Sequence, residues 1–385
     1  MKIMKKVGLM FALVSLISIK CYCQEDDITS FSKTFKIEQG GSLELNVAFG
    51  SITIIPWNKS EINITASGMQ KADEKALEIE VIGNRKVKVD CNPNWGGSED
   101  MHFDIKVPRK FNLNLNTKAG DITISGKLEG DVNAKSYGGE ITVGDITGNF
   151  MANTSGGDIA TGNIDGSMNL NTLGGDIRVG AIKGSLIKIN TNGGDVSIKK
   201  AYSGVSVRTM GGDIRTGDLG GDSELITLGG DISAGNVRGG INMETYGGDL
   251  TLAGANGRVS AKTSGGNITM HNISGSVTVK TPSGNIDVTL YPSPNSISEI
   301  STSNGSIDLH VPQNAKTTIR AKVRTYDDNN SNTGRKIYSE YPASESSKKS
   351  GSYTATYIIN GGGSSSISLR SGDDSGIRIF KAIQK

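Results

Sequence analysis

The chain has 385 residues, with 41 Lys and Arg against 39 Asp and Glu, 35% hydrophobic and 5% aromatic residues, and 52 glycines. A near-balanced, scattered charge argues against nucleic acid as a partner. So few apolar side chains would make a poor compact globule of this length, but they suit a thin repeated architecture built from small residues.

Residues 1–23 read as a secretory signal peptide. Lys2, Lys5 and Lys6 form a basic end, and Val7 to Ile19 an apolar stretch too short to span a membrane comfortably. Cys21 and Cys23 supply small residues before a cut, giving a mature start at Gln24. A lipid anchor at Cys23 is the competing reading, encouraged by Glu25-Asp26-Asp27. Tyr22 is bulky where a lipoprotein signal wants a small residue, so simple cleavage is favoured. Cleavage removes four lysines and no acids, which leaves a net charge of about −2. Only Cys91 remains, so neither an intramolecular disulfide nor a thiolate metal cluster is expected. No second apolar segment is long enough for a membrane span. The protein is expected to be exported, with periplasm, cell surface and extracellular medium all open.

Residues 24–115 show period-two alternation, as in Ser42-Leu43-Glu44-Leu45-Asn46-Val47 and Lys86-Val87-Lys88-Val89-Asp90. They read as an N-terminal β-strand region that caps a downstream repeat array. From residue 116 to 320 a Gly-Gly-Asp-Ile phrase recurs. The residue after the glycines falls at 121, 140, 158, 176, 195, 213, 231, 249, 267 and 285, a step of 18 stretched twice to 19. A fixed short period marks a solenoid whose turns bury their apolar face only against each other. In one turn the apolar or small positions are Ile232, Ala234, Val237, Ile241, Met243 and Thr245, and the next turns repeat them. Their alternation predicts short strands with one face inward, joined at glycine-rich corners such as Gly235, Gly239, Gly240, Gly247 and Gly248, where glycine permits backbone conformations other residues resist. Parallel stacking about 4.8 Å apart predicts roughly ten turns over some 50 Å. The fold class is therefore all-β: a single-stranded parallel β-helix, or β-solenoid. The right-handed form is favoured, because left-handed hexapeptide helices need an even six-residue spacing that is absent here. Residues 321–385 read as C-terminal capping strands with a polar loop at 326–352. Caps at both ends are expected, since open strand edges invite aggregation.

The lead-in Phe103-Asp104-Ile105-Lys106-Val107-Pro108, followed by Leu113-Asn114-Leu115-Asn116-Thr117-Lys118-Ala119-Gly120-Asp121-Ile122, resembles the bacterial adhesin-type β-helix proteins of the DUF4097 group. An upstream echo, Phe49-Gly50-Ser51-Ile52-Thr53-Ile54 followed by Trp57, fits the same pattern. The resemblance implies the fold and an adhesin-like role, and it supplies no catalytic motif.

Three ladders arise from the period. Asp158, Asp176, Asp195, Asp213, Asp231 and Asp249 stack at one corner. Like charges at that spacing repel, so either calcium or local hydrogen bonding must compensate. Asn267 and Asn285 share the slot, keeping the oxygen and dropping the charge, which favours an Asp oxygen accepting N–H bonds within the turn over calcium. A Thr ladder (Thr154, Thr172, Thr191, Thr209, Thr227, Thr245, Thr263, Thr281) points inward. The position between each Thr and its glycines points outward. Met210, Leu228 and Tyr246 fall there on three consecutive turns, with Leu173 and Tyr137 at the same position elsewhere. An exposed apolar strip of this kind is a candidate partner-binding surface. The bland alternative is that the 326–352 loop covers it.

Catalytic, cofactor-binding and metal-ligating residues: none are expected. The histidines, His102, His271 and His310, lie far apart in the chain, and no nucleophile–base set or phosphate loop is present. Outward Glu244 and Lys262, one turn apart, read as a surface ion pair. The sequence thus points to an exported non-catalytic protein of the cell envelope that binds a protein or glycan. The alternatives are a polysaccharide-active lyase or glycosidase on the same scaffold, and a structural or sensory envelope component.

Overall fold

The computed structural model describes residues 30–69, 76–92, 101–324, 337–349, 351–372 and 376–382. Residues 1–23, read from the sequence as a signal peptide, lie outside them, Cys23 included. Among the described residues the protein is all-β, with no α-helix and none long and apolar enough to cross a membrane. Two compact units divide between Gly138 and Gly139.

The first unit contains two sheets with parallel centres. In one, Ser51–Trp57 lies between His102–Pro108 and Ile122–Glu129. In the other, Gly41–Phe49 lies between Lys86–Cys91 and Phe111–Ala119. The turn formed by residues 41–57 is therefore inserted between two later ones. Beyond it the direction changes: Glu61–Ser67 runs antiparallel to His102–Pro108 and to Ser30–Lys36, and Leu77–Ile82 antiparallel to Lys86–Cys91. The upstream echo is a true repeat in geometry. Thr117 Oγ1 donates to the Gly50 carbonyl at 3.2 Å, and Ser51 Oγ accepts the Asp121 N–H at 3.3 Å, so Ser51 stands in an Asp slot.

The second unit stacks successive turns as parallel strands in two sheets. Ile214–Thr216, Ile232–Val237, Leu250–Ala255 and Ile268–Gly275 succeed one another in the first sheet. Ser223–Ile226, Ile241–Glu244, Val259–Lys262 and Val277–Thr281 do so in the second. The register sets like on like: Ile232 beside Leu250 beside Ile268, and Met243 beside Ala261 beside Val279. All six inward positions of the 231–248 turn are buried. The chain ends out of order here as well. Ser365–Ser371 inserts between Ile297–Thr302 and Thr317–Arg324, and Ile377–Ala382 between Ile307–Pro312 and Ile337–Ser339. Antiparallel Ser352–Ile359 and Glu345–Lys349 extend the second sheet beyond Thr317–Arg324. The described part of the 326–352 stretch thus carries two strands. Glu345–Lys349 is exposed throughout and held by main-chain pairing, so no buried alternation announced it.

The glycine pairs differ from expectation. None of them has a positive φ, nor do Gly235, Gly239 or Gly240. The second glycine of each pair is needed for close approach instead. A Cβ on Gly175 would lie 2.1 Å from the Gly157 carbonyl oxygen, and one on Gly230 2.2 Å from that of Gly212. The first glycine is far less confined: a Cβ on Gly174 would meet nothing nearer than 3.6 Å, and one on Gly247 nothing nearer than 3.2 Å. Ala119 and Ser283 can therefore replace the first glycine of a pair, while Gly120 and Gly284 keep the second. Gly175→Ala is expected to cost about 2–3 kcal/mol through forced overpacking, and Gly174→Ala less than about 0.5 kcal/mol. Urea midpoints of the two variants check this; equal midpoints would refute the steric account.

Candidate functional site

Each glycine corner is closed by two hydrogen-bonded columns. Inside, buried Thr227 donates its Oγ1 hydrogen to the Gly212 carbonyl of the preceding turn at 2.9 Å and accepts the Gly230 N–H at 3.3 Å. Thr172, Thr191, Thr209, Thr245 and Thr263 repeat both bonds. Outside, the carboxylates also bond between turns rather than within their own. Asp158, Asp176, Asp195, Asp213 and Asp231 each accept on Oδ1 the backbone N–H of the next residue of the ladder, at 2.8 Å. Asp249 accepts from Asn267 at 2.6 Å, and Asn267 from Asn285 at 3.0 Å. The reason is geometric: a side chain at a parallel-stacked corner lies directly beneath the next turn's amide. Repulsion is relieved further by Arg178, 3.1 and 2.7 Å from Asp158 and Asp176, and by Arg215, 2.6 Å from Asp213. The Asp-Ile-Arg phrase at these turns was the missed sequence signal.

The slot before the glycines faces solvent. Met210, Leu228 and Tyr246 are 50, 45 and 61% exposed, with Leu173 at 57%. Their turns are bonded in succession, Gly229 N to Met210 O and Tyr246 N to Leu228 O, each at 3.1 Å. Three apolar side chains therefore stand in one row, while Leu173 is separated from Met210 by the turn bearing exposed Asn192. Tyr137, 66% exposed, belongs to the first unit.

A family model described as Toastrack DUF4097 matches residues 41–218 and 185–338. The chain belongs to this family. Solved structures similar to this Toastrack DUF4097 chain include a "putative adhesin" from Bacteroides fragilis, 16% identical, covering 60% of this chain and 95% of that one at a TM-score of 0.30. A "putative cell adhesion protein" from Clostridium sporogenes is 9% identical over 92% and 100% of the two chains at 0.18. A "putative lipid binding protein" from Parabacteroides distasonis is 11% identical over 92% and 97% at 0.24. Superpositions this weak decide nothing about the site. No functionally curated protein matches the chain.

The Toastrack DUF4097 chain carries a further column that sequence reading missed, because no glycine pair marks it. Asp145 Oδ1 accepts the Asn163 N–H at 2.7 Å, and Asp218 Oδ1 accepts the backbone N–H of Asn236 at 2.9 Å and its side-chain amide at 3.2 Å. Those two bonds, with Lys200 and Arg238 nearby, hold the Asp218 carboxyl below its ordinary value against a small cost of desolvation. Its contribution to stability is accordingly present at neutral pH and fades on acidification through that lowered value. The only signal was Asp or Asn at multiples of the repeat.

Histidines distant in sequence also share a cavity. His271 and His310 line one cavity with Glu340 and Phe380. His310 Nε2 lies 3.5 Å from Asp287 Oδ1, and its ring stacks on Phe380 at 4.9 Å. Among the described residues no group of three or more His, Cys, Asp or Glu is placed to hold a metal ion. Glu244 and Lys262 are register neighbours as expected, but the expected ion pair does not form between them; Arg208 and Glu224, at 2.6 Å, form one on this sheet.

If the Asp ladder serves the turn rather than calcium, Asp231→Asn should change stability by less than about 0.5 kcal/mol, while Asp231→Ala loses about 1 kcal/mol. Thermal unfolding with added calcium or EDTA should give the same Tm. A calcium-dependent rise in Tm that Asp231→Asn abolishes would overturn this reading.

Proposed function

We propose that the chain is an exported, non-catalytic, adhesin-like protein of the cell envelope, a right-handed β-helix with 18-residue turns that binds a partner protein or glycan. Residues 116–320 form the repeats, and 24–115 and 321–385 the capping regions. The observation that carries this reading is the exposed row of Met210, Leu228 and Tyr246 on three successively bonded turns. Adjacent exposed apolar groups on a polar face mark contact surfaces, and a tyrosine beside aliphatic side chains makes an anchor of the kind that dominates binding energy. Leu173, on the same unit, offers an additional contact.

The polysaccharide-active alternative has one support, that His271 and His310 line a single cavity with Asp287 beside His310. Release of new reducing ends from envelope polysaccharides would establish it.

The binding reading predicts that the purified chain captures a partner from envelope extracts, and that the Met210→Ser, Leu228→Ser, Tyr246→Ser triple variant recovers at least about tenfold less of it, as expected when anchor residues are lost. Each substitution is at an exposed site and should cost under about 0.5 kcal/mol in stability. Equal recovery by a folded variant would sink the proposal.

A further inference from the structure

Away from the apolar row, the second unit carries a groove made of two cavities that share Asn272. The first lies at the ends of first-sheet strands, where Ala201, Leu219, Val237 and Ala255 point inward in register. The next residue on each turn points out: Tyr202, Gly220, Arg238 and Asn256. Gly220 interrupts that row and leaves a notch between Tyr202 and Arg238, part of a cavity of about 360 Å³ that reaches Asn272. A second cavity of about 650 Å³ starts at Asn272 and runs past Tyr291 to Phe380. From Tyr202 to Phe380 the register advances seven strand spacings, or about 34 Å.

That length suits an extended polymer, and the lining selects its class. A peptide strand could not add here, because strand addition needs unbonded main-chain groups. Leu219 N donates to Asn236 O and Arg238 N to Leu219 O, both at 2.9 Å, so the amides are committed between turns. Nucleic acid would require a strongly basic surface, and the chain is near neutral. What the groove offers is the face of Tyr202, amides and cations. Tyr202 is 54% exposed, with Lys200 Nζ 5.0 Å from its ring centroid. Two acids share the lining: Asp218 accepts from Asn236 and also feels the charges of Lys200 and Arg238, and Glu340 Oε2 accepts the Lys381 N–H at 2.7 Å. Among the described residues, Lys200, Arg238 and Lys381 make no ion pair within 4.0 Å.

The geometry points to a binding groove for a carboxylated polysaccharide, a chain of uronic acid units. Tyr202 takes the CH-rich face of a sugar ring, Asn236 and Asn272 its hydroxyls, and Lys200 and Arg238 its carboxylate, while Phe380, already stacked on His310, walls the far end. The site is separate from the row at Met210, Leu228 and Tyr246 and does not depend on it.

The test is calorimetric titration of the purified chain with oligogalacturonate, neutral galacto-oligosaccharide and poly-glutamate at physiological ionic strength. Oligogalacturonate should bind at least tenfold more tightly than either of the others. Tyr202→Ala should weaken it about tenfold, and Lys200→Gln with Arg238→Gln should erase the preference for the acidic sugar. A control pair, Lys188→Gln with Lys262→Gln, removes the same charge from the other sheet and should bind as wild type. Unchanged thermal unfolding of each variant shows that folding is not the cause. Failure to bind oligogalacturonate, equal binding of poly-glutamate, or an equal loss in the control pair would each overturn the assignment.

Discussion

The structure of the second unit depends on one close approach, the second glycine of each corner resting on the carbonyl oxygen of the glycine one turn earlier. A single Cβ would put carbon about 2 Å from that oxygen, from Gly157 through Gly284. Because the backbones meet there, the Thr hydroxyl can reach the carbonyl of the preceding turn and the Asp oxygen the amide of the following one. The columns are thus consequences of the contact. Each bond contributes about 1 kcal/mol, and repetition makes the corner the most regular part of the fold.

The corner's polar groups are largely committed to one another. Its carboxylates spend their near oxygen on amides, and several face arginines. Variation is permitted where the backbone is already held and the side chain touches only solvent. The slot before the glycines is one such place, and the position after each first-sheet strand is another. Apolar residues occupy the first on three neighbouring turns, while Gly220 opens the second into a groove. Both candidate surfaces come from departures within the repeat.

Much of this was legible from the period. Inward Ile232, Met243 and Thr245 and outward Met210, Leu228 and Tyr246 are placed correctly by alternation alone, since a strand's side chains must change face at each residue. The role of the glycines was not legible. Tolerance for unusual φ and intolerance of a Cβ both read as glycine, and only stacked backbones separate them. The amide column of Asp145, Asn163, Asp218 and Asn236 was equally hidden, because isolated polar residues on a polar surface carry no pattern of burial.

The sequence by itself determined the strands, their period, which residues enter the core and which meet solvent, because a repeat that buries its apolar face on its neighbour leaves few choices. Tertiary structure alone decided which distant residues share a site. Ser365–Ser371 and Ile377–Ala382 return to pair between earlier strands, and this brings Phe380 against His310 and into the cavity of His271. Such a return is written in no local period. Main-chain pairing of that kind is indifferent to most of the side chains that carry it.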